Sequence, residues 1–377
     1  MKKNIILLSS VIFLVFIIGC APAQQAAKVG GPIKIGGIFP LTGDGAAYGT
    51  PIQRATMIAV NEINAQGGIN GRPLSIVFED GKCNPKDAVT AAQKLVSIDK
   101  VKVILGGACS GETLGASPIT EENKVIILSP SSTSPDITTA GDFVFRTAPS
   151  DAFAGKVASE VSINKLKAET AGIISETSDY PQGLRKVFKE EFEKLGGRVV
   201  ADETFNPDDT DLRTQILKVK NADPDVIYLA PQTVPKGVLL VKQIKEAGVK
   251  QQLVTAEVLI GRNVVEENAA DLEGLIGIEA AFNEDSPKAA AVLSQYTEDA
   301  GEQPPFPFYM SAAYDNVYLI AKAIELHGED TEKIRDFLYS VKDYDGAIGS
   351  LTIDENGDPI LDFAVRQVKN GKLVDFE

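Results

Sequence analysis

The feature that most constrains this chain is the alternation of short apolar runs with amphipathic segments along almost its whole length. Runs such as 33–39 and 171–175 have the length and composition of buried strands. Segments between them, such as 181–195, carry apolar residues on one helical face. Strands that alternate with helices at this spacing predict parallel sheets covered on both faces. A chain of 377 residues is long enough for two such domains.

The pattern can be assigned element by element. It predicts strands at 33–39, 74–79, 101–105, 125–128, 143–145, 171–175, 199–205, 225–230 and 253–255. It predicts helices near 48–66, 85–98, 112–122, 181–195, 210–221, 235–247, 261–269, 286–300, 309–327 and 331–341. Because the alternation of strands and helices begins again after Pro149, we expect an α/β protein with two doubly wound, parallel-sheet lobes.

Two of the predicted strands open into small, hydroxyl-rich loops. The run 101–105 is followed by GGACSGET at 106–113, and the run 125–128 is followed by SPSSTSPD at 129–136. Ligands of open parallel sheets bind where the strands end at their carboxyl edge. Two neighbouring loops with free N–H groups and hydroxyls there predict a receptor for a small anion such as a carboxylate. Each loop alone could also be an ordinary Ser-rich turn.

The N-terminus predicts the compartment. Two lysines precede the uncharged apolar run 5–18, which ends in Ile-Ile-Gly-Cys at 17–20. This is typical of a signal peptide over 1–19 with a lipoprotein cleavage site, so Cys20 would carry the lipid. A polar tether, 20–30, would then hold an extracytoplasmic protein at the membrane. An uncut membrane anchor is the alternative, although the run is short for a bilayer span.

Composition argues against several function classes. The formal net charge of −15, with no basic cluster, disfavours nucleic acid as a partner. The single histidine, His327, is expected at a helix end and leaves no His-rich metal site and few triads. The sequence shows neither a nucleophile with its base nor paired acids at a cleft. We therefore expect no enzyme activity, no metal and no cofactor.

Cysteine usage fits an oxidising compartment. If Cys20 is lipidated, Cys83 and Cys109 remain. An even pair outside the cytosol is typical of a disulfide, here beside Ser110 in the first hydroxyl-rich loop. Two separate buried thiols are the alternative.

Seven stretches together carry a family resemblance: IKIGGIFPLTGDGAAYG at 33–49, INAQGGINGRPLSIVFEDGKCNPKDAV at 63–89, GGACSGET, SPSSTSPDIT, FRTAP at 145–149, AYDNVYLIAKAI at 313–324 and GSLTIDENGD at 349–358. Over about 31–368 the chain resembles the branched-chain amino-acid (leucine/isoleucine/valine) binding proteins of ABC transporters, which have the type I periplasmic-binding fold. The resemblance implies a solute-binding protein that captures an amino acid and delivers it to an ABC permease. A sensory module of the same fold, or a binder of a short amide, urea or aromatic acid, stays open.

The resemblance also implies how the chain is divided. It would cross between lobes near 149–152, 279–283 and 351–354. Lobe 1 would combine 31–149 with 283–351, and lobe 2 would combine 150–280 with 354–377. The lobes would close by a hinge motion over the ligand, and the two cysteines would form the family's disulfide near the site.

A ligand site follows from the same resemblance. Ser110 would bind the ligand carboxylate through its hydroxyl and N–H group. Thr133 would give its backbone N–H to the carboxylate and its hydroxyl to the ammonium. The carbonyl of Ser131 would accept from the ammonium. Glu257 would supply the opposing charge from the second lobe; on the residues alone it could equally be a solvated acid.

Three further residues complete the implied site. Tyr48 and Tyr180 would flank the cleft, although Tyr180 could instead be a hydrophobic staple at a helix start. Gln232 stands where the relatives' pattern has a tyrosine. This departure puts the side-chain specificity in doubt, with leucine, isoleucine and valine as the default and a polar or larger amino acid as the alternative.

Overall fold

The computed structural model describes residues 30–376. The predicted signal peptide over 1–19, the predicted lipidation site Cys20 and the tether up to residue 29 lie outside the described residues. Within residues 30–376, no helix combines the length and the apolar character needed to cross a membrane.

The strands are Ile33–Phe39 (β1), Leu74–Asp80 (β2), Val103–Gly106 (β3), Ile126–Ser129 (β4), Val144–Arg146 (β5), Thr170–Glu176 (β6), Arg198–Phe205 (β7), Val226–Ala230 (β8), Gln252–Ala256 (β9), Ile276–Ala280 (β10), Tyr344–Gly346 (β11), Gly349–Leu351 (β12), Phe363–Lys369 (β13) and Lys372–Asp375 (β14). The helices are Ala46–Ala65 (α1), Pro85–Ser97 (α2), Ser110–Glu122 (α3), Asp151–Glu160 (α4), Asp179–Lys194 (α5), Arg213–Asn221 (α6), Val234–Glu246 (α7), Arg262–Glu267 (α8), Ala269–Leu272 (α9), Pro287–Ala300 (α10), Pro307–His327 (α11) and Thr331–Tyr339 (α12).

The first sheet is a five-stranded parallel sheet in the order β2-β1-β3-β4-β5. The connections run in opposite directions from β1 and from β3, so a topological switch point lies between these two strands. Ligands of such sheets bind in the crevice outside the carboxyl ends of the strands at this point. The segments that follow β1 and β3 contain Tyr48 and Ser110.

The second sheet has seven strands in the order β14-β13-β10-β9-β8-β6-β7. Strands β10, β9, β8, β6 and β7 are parallel and repeat the order of the first sheet. Their switch point lies between β6 and β8, and the segments that follow these strands contain Tyr180 and Gln232. Both sheets therefore present predicted site residues at the position where this topology favours ligand binding.

The chain passes between the sheets three times. After β10 it forms α10 and α11, which pack against α1 beside the first sheet. It then returns to the second sheet as β13, which pairs with β10. The exact limits of the two lobes, 31–149 with 283–351 and 150–280 with 354–377, stay a prediction.

Four features depart from the expectations, and one of them is the short antiparallel pair of β11 and β12, where no strand was predicted. The strand β10 and the hairpin of β13 and β14 did not show in the sequence pattern, and the hairpin is antiparallel, so the second sheet is mixed at one edge. The helix α4 was also missed, because its segment DAFAGKVASE has little amphipathic contrast. The predicted helix over 261–269 is two short helices, α8 and α9.

Candidate ligand-binding site

The buried carboxyl group of Glu112 holds the first hydroxyl-rich loop in place through hydrogen bonds. The Glu112 Oε2 atom accepts the N–H groups of Ala108 and Cys109, each at 3.0 Å. Its Oε1 atom accepts the N–H of Cys83, also at 3.0 Å. Cys83 and Cys109 are joined by a disulfide. Burial raises the pKa of Glu112 to about 8, even though these three N–H groups oppose the shift.

The second hydroxyl-rich loop is tied to the first by serine side chains. The hydroxyls of Ser129 and Ser132 donate to the Gly107 carbonyl at 2.6 and 2.8 Å. The Ser131 hydroxyl donates to the Ala108 carbonyl at 2.9 Å. In return, the Ser110 hydroxyl accepts the N–H of Ser134 at 3.1 Å. The two predicted loops therefore form one rigid, hydroxyl-rich surface.

Thr133 lies in this second loop and is buried, with 3% of its surface exposed. Its hydroxyl makes no hydrogen bond of ordinary length and angle among residues 30–376, although it lies close enough to the Asp151 carboxyl to oppose the rise in that group's pKa. A buried hydroxyl without a partner is costly, so a polar ligand that satisfies it would be stabilising. Thr133 therefore has the property expected of a residue that hydrogen-bonds to a ligand.

The opposing wall comes from segments that follow strands of the second sheet. Glu257 follows β9 in a short 3₁₀ turn, and burial of its carboxyl group raises its pKa, while the hydroxyls of Tyr309 and Tyr180 oppose the shift. The phenol of Tyr180 is buried; its hydroxyl lies near the Glu257 carboxyl but makes no hydrogen bond of ordinary length and angle among the described residues. Tyr180 is part of α5 itself, not of the segment before the helix. The N–H of Gln232 donates to Glu176 at 3.0 Å.

A small cavity of about 30 Å³ brings these groups together. Six of the seven predicted site residues line it: Tyr48, Ser110, Ser131, Tyr180, Gln232 and Glu257. The other lining residues are Ala108, Cys109, Val258 and Tyr309. Thr133 does not line this cavity, although its loop partner Ser131 does. The cavity is lined by segments that follow strands of both sheets, and it is partly open to solvent.

Sequence reasoning missed two residues of the site. Asp151 is the first residue of α4 and is 1% exposed, and its Oδ2 atom has no partner within residues 30–376. Burial and the charge of Glu257 raise its pKa well above the ordinary value. In the sequence, Ser150-Asp151 has the pattern of an ordinary helix start, so nothing there indicates that Asp151 lies near Glu257. Tyr309 lies in α11, in a segment with no pattern that points to a cleft.

Two larger spaces adjoin the small cavity. An open groove of about 900 Å³ at the mouth of the cleft is lined by segments of both sheets, including Gln232. On the opposite side, a cavity of about 370 Å³ shares Glu257 and Tyr309 as wall residues. Its other walls are largely aromatic and apolar, with Phe282, Phe306 and Phe308 among them. Glu257 thus lies between two spaces, which explains its partial accessibility.

The electrostatics of the small cavity are asymmetric. One wall carries hydroxyls and N–H groups, and the other carries a carboxyl group beside tyrosines. No Lys or Arg lines it. Within residues 30–376, no cluster of His, Cys, Asp and Glu could hold a metal ion. Hydrogen-bond donors opposite an acid suit a small molecule with a negative and a positive end.

Two α/β lobes with facing switch points and a polar site between them define the class of two-lobed solute-binding proteins. The chain belongs to the periplasmic binding protein family, whose model matches residues 32–372. This confirms the family expected from the sequence motifs.

Individual relatives agree. The leucine-, isoleucine-, valine-, threonine- and alanine-binding protein of Pseudomonas aeruginosa is 33% identical over 362 residues, covering 95% of this chain and 94% of the relative. A crystal structure of a leucine-binding protein from Thermotoga maritima superposes with a TM-score of 0.84 at 28% identity, over 92% of this chain and 98% of that one. The branched-chain amino-acid transporter substrate-binding protein of Streptococcus pneumoniae, solved with isoleucine, gives 0.81 at 31% identity, over 92% of this chain and 100% of that one.

Proposed function

We propose that this protein binds a free α-amino acid with an apolar side chain between its two lobes and delivers it to an ABC permease. The observation that carries the proposal is the small cavity with hydroxyls on one wall and Glu257 on the other. A zwitterionic amino acid matches that arrangement, since each charged end faces groups of the complementary kind. The relatives that bind leucine, isoleucine and valine support the apolar side chain.

The proposed roles follow from position. Ser110 binds the carboxylate through its hydroxyl and N–H group, while Thr133 gives its N–H group to the carboxylate and its hydroxyl to the ammonium. Glu257 and the carbonyl of Ser131 bind the ammonium. Asp151, which was not expected, adds a second negative group near Glu257. A carboxylate held without Lys or Arg requires fixed donors and little water, and the tied loops provide the fixed donors.

The remaining residues shape the pocket. Tyr48 and Tyr180 enclose the ligand from the two lobes. The stacking of Tyr48 on Phe306, with ring centroids 4.3 Å apart, fixes the first of these rings. Gln232 lies at the boundary between the small cavity and the outer groove, where a longer side chain would meet it. We keep leucine, isoleucine and valine as the default ligands.

The cellular setting is extracytoplasmic, as the family implies. We further propose that Cys20 is lipidated after removal of residues 1–19 and that the chain is held at the membrane surface by this lipid. Closing of the lobes over the ligand would then form the surface that the permease recognises.

A thermal-shift screen of residues 30–377 against the twenty amino acids tests the proposal. Micromolar affinity corresponds to about −8 kcal/mol, which a ligand of this size can reach. We expect leucine, isoleucine or valine to raise the midpoint at millimolar concentration. A response only to a polar amino acid would reject the apolar specificity. A response only to amides, urea or acids without an amine would reject the amino-acid proposal.

A further inference from the structure

Arg146 is the largest side chain that is fully buried in the described residues, with 0% of its surface exposed. It ends β5, within the FRTAP stretch. Its Nε and one terminal nitrogen donate to the two carboxylate oxygens of Asp358 at 2.6 and 2.8 Å. A buried arginine paired in this two-pronged way has a fixed orientation.

The other terminal nitrogen of Arg146 contacts the second hydroxyl-rich loop. It donates to the Ser134 carbonyl at 2.8 Å and to the Ser132 carbonyl at 3.4 Å. These two carbonyls lie on either side of Thr133. The Thr133 carbonyl itself accepts the N–H of Asp151 at 2.8 Å. Each backbone carbonyl from residue 132 to residue 134 therefore accepts a hydrogen bond from Arg146 or from the N–H group of Asp151.

The bound carbonyls determine which hydrogen-bonding groups this loop can offer to a ligand. Since the carbonyls point towards Arg146 and Asp151, the acceptors of this stretch are occupied. The Thr133 N–H group donates to no other group among residues 30–376, whereas the Thr133 hydroxyl lies beside the Asp151 carboxyl, whose raised pKa it opposes. A stretch with its carbonyls bound and a donor left over suits an anionic group. The charge of Arg146 is balanced by Asp358, so it is not itself a ligand for the anion.

Asp358 connects this arrangement to the segment between β12 and β13, which leads from the first lobe into the second sheet. The Asp358 N–H donates to Asp354 Oδ1 at 2.9 Å, and its carbonyl accepts the Asp354 N–H at 2.8 Å. The N–H of Arg146 donates to the Gly357 carbonyl at 3.2 Å. The loop and the connecting segment are thus held by one buried ion pair.

We propose that Arg146 is a positioning residue that orients the carboxylate-binding loop around Thr133, and that its pairing with Asp358 couples this loop to the segment joining the two lobes. The proposal rests on the proposed function, because it assumes a ligand carboxylate. Arg146 acts through the carbonyls of Ser132 and Ser134 and does not touch the ligand.

Binding of leucine and of leucinamide separates positioning from a purely structural role. Leucinamide keeps the ammonium and the side chain but lacks the carboxylate. We expect Arg146→Lys and Asp358→Asn to weaken leucine binding by about tenfold or more, with a much smaller loss for leucinamide. Thr138→Val, which removes a hydroxyl bonded to both Arg146 and Asp358, should give a weaker change in the same direction.

A matched control is Arg335→Lys, since Arg335 pairs with Asp142 and Asp336 near the surface of the first lobe. It should leave the leucine-to-leucinamide ratio unchanged. Equal losses for both ligands in Arg146→Lys and Asp358→Asn would overturn the proposal and assign the pair to stability alone.

Hydrogen exchange measured without ligand keeps the two proposals distinguishable. Arg146→Lys and Thr138→Val should speed amide exchange over 132–134 more than in the core of the second sheet. If the parent protein binds no amino acid, the proposed function fails, and this exchange result still decides whether Arg146 holds the loop. Unchanged exchange over 132–134 would contradict the positioning role.

Discussion

Burial and the charge of Glu257 raise the pKa of Asp151, although the two carboxyl groups come from distant segments of the chain. Glu257 follows β9 and Asp151 begins α4. Burial raises the pKa of both groups, although the charge of Arg146 opposes the rise for Asp151, and no Lys or Arg lines the small cavity. Such a pair retains a proton at a pH where an ordinary carboxyl group has lost it.

A bound ammonium should therefore displace a proton. A cation beside the two acids lowers their pKa, so binding releases protons wherever the empty site is still protonated. Amino-acid affinity is expected to increase as pH rises through the raised pKa of the pair. Calorimetry in two buffers with different ionisation enthalpies measures this release, and Asp151→Asn should reduce it. Binding heats that do not depend on the buffer would contradict the linkage.

Gly183 should control how far the lobes close. It lies in α5, and a Cβ atom there would be 2.8 Å from Cδ of Pro135 and 3.2 Å from Oγ of Ser134, at the end of the second hydroxyl-rich loop. The methyl group in Gly183→Ala would hold the two lobes apart, while alanine favours the helix by about 1 kcal/mol. We expect weaker amino-acid binding together with an unchanged or higher free energy of unfolding.

Titration calorimetry and chemical denaturation on the same preparation separate these two effects. Glu193→Ala, at an exposed position of the same helix, serves as the control for helix propensity. A Gly183→Ala protein that binds as tightly as the parent would show that this contact does not limit closure.

Glu112 should make stability depend on pH. Its pKa is raised from 4.5 to about 8 in the folded protein. The folded state therefore holds the proton more tightly than the unfolded chain, and stability falls as pH rises from 4.5 to about 8. The difference across this window is on the order of a few kcal/mol.

Urea denaturation at several pH values in this window tests the assignment. Glu112→Gln removes the titrating group and should flatten the dependence, even if it lowers stability overall by disturbing the three N–H contacts. A variant with the same pH slope as the parent would assign the dependence to other groups.

The sequence predicted those parts of the site that follow directly from local pattern. The two loops after β3 and β4 were recognisable because apolar strands end in runs of small hydroxyl residues there. The disulfide followed from the residue count and the compartment. Motif resemblance added Glu257, which the strand exit alone left ambiguous.

The missed parts depend on tertiary packing. Asp151 has the sequence signature of a helix start, and only the neighbouring Glu257 makes its charge significant. Arg146 reads as a polar residue in a short strand, and its partner Asp358 comes from the opposite end of the chain. The hairpin of β13 and β14 mixes polar and apolar residues as an edge element does, so it gives a weak periodic signal.

The central claim is that the small cavity between the lobes holds a zwitterionic amino acid, with Glu257 opposite its ammonium. Calorimetric titration of leucine, isoleucine and valine into the parent protein and into Glu257→Gln tests it most directly, with Glu267→Gln, at an exposed position of α8 that lines none of the three cavities, as the matched control. The parent and the control should bind at about micromolar concentration. Glu257→Gln should lose on the order of 2–5 kcal/mol of binding, because the ammonium would be left enclosed without its charged partner. Equally tight binding by Glu257→Gln would contradict the claim.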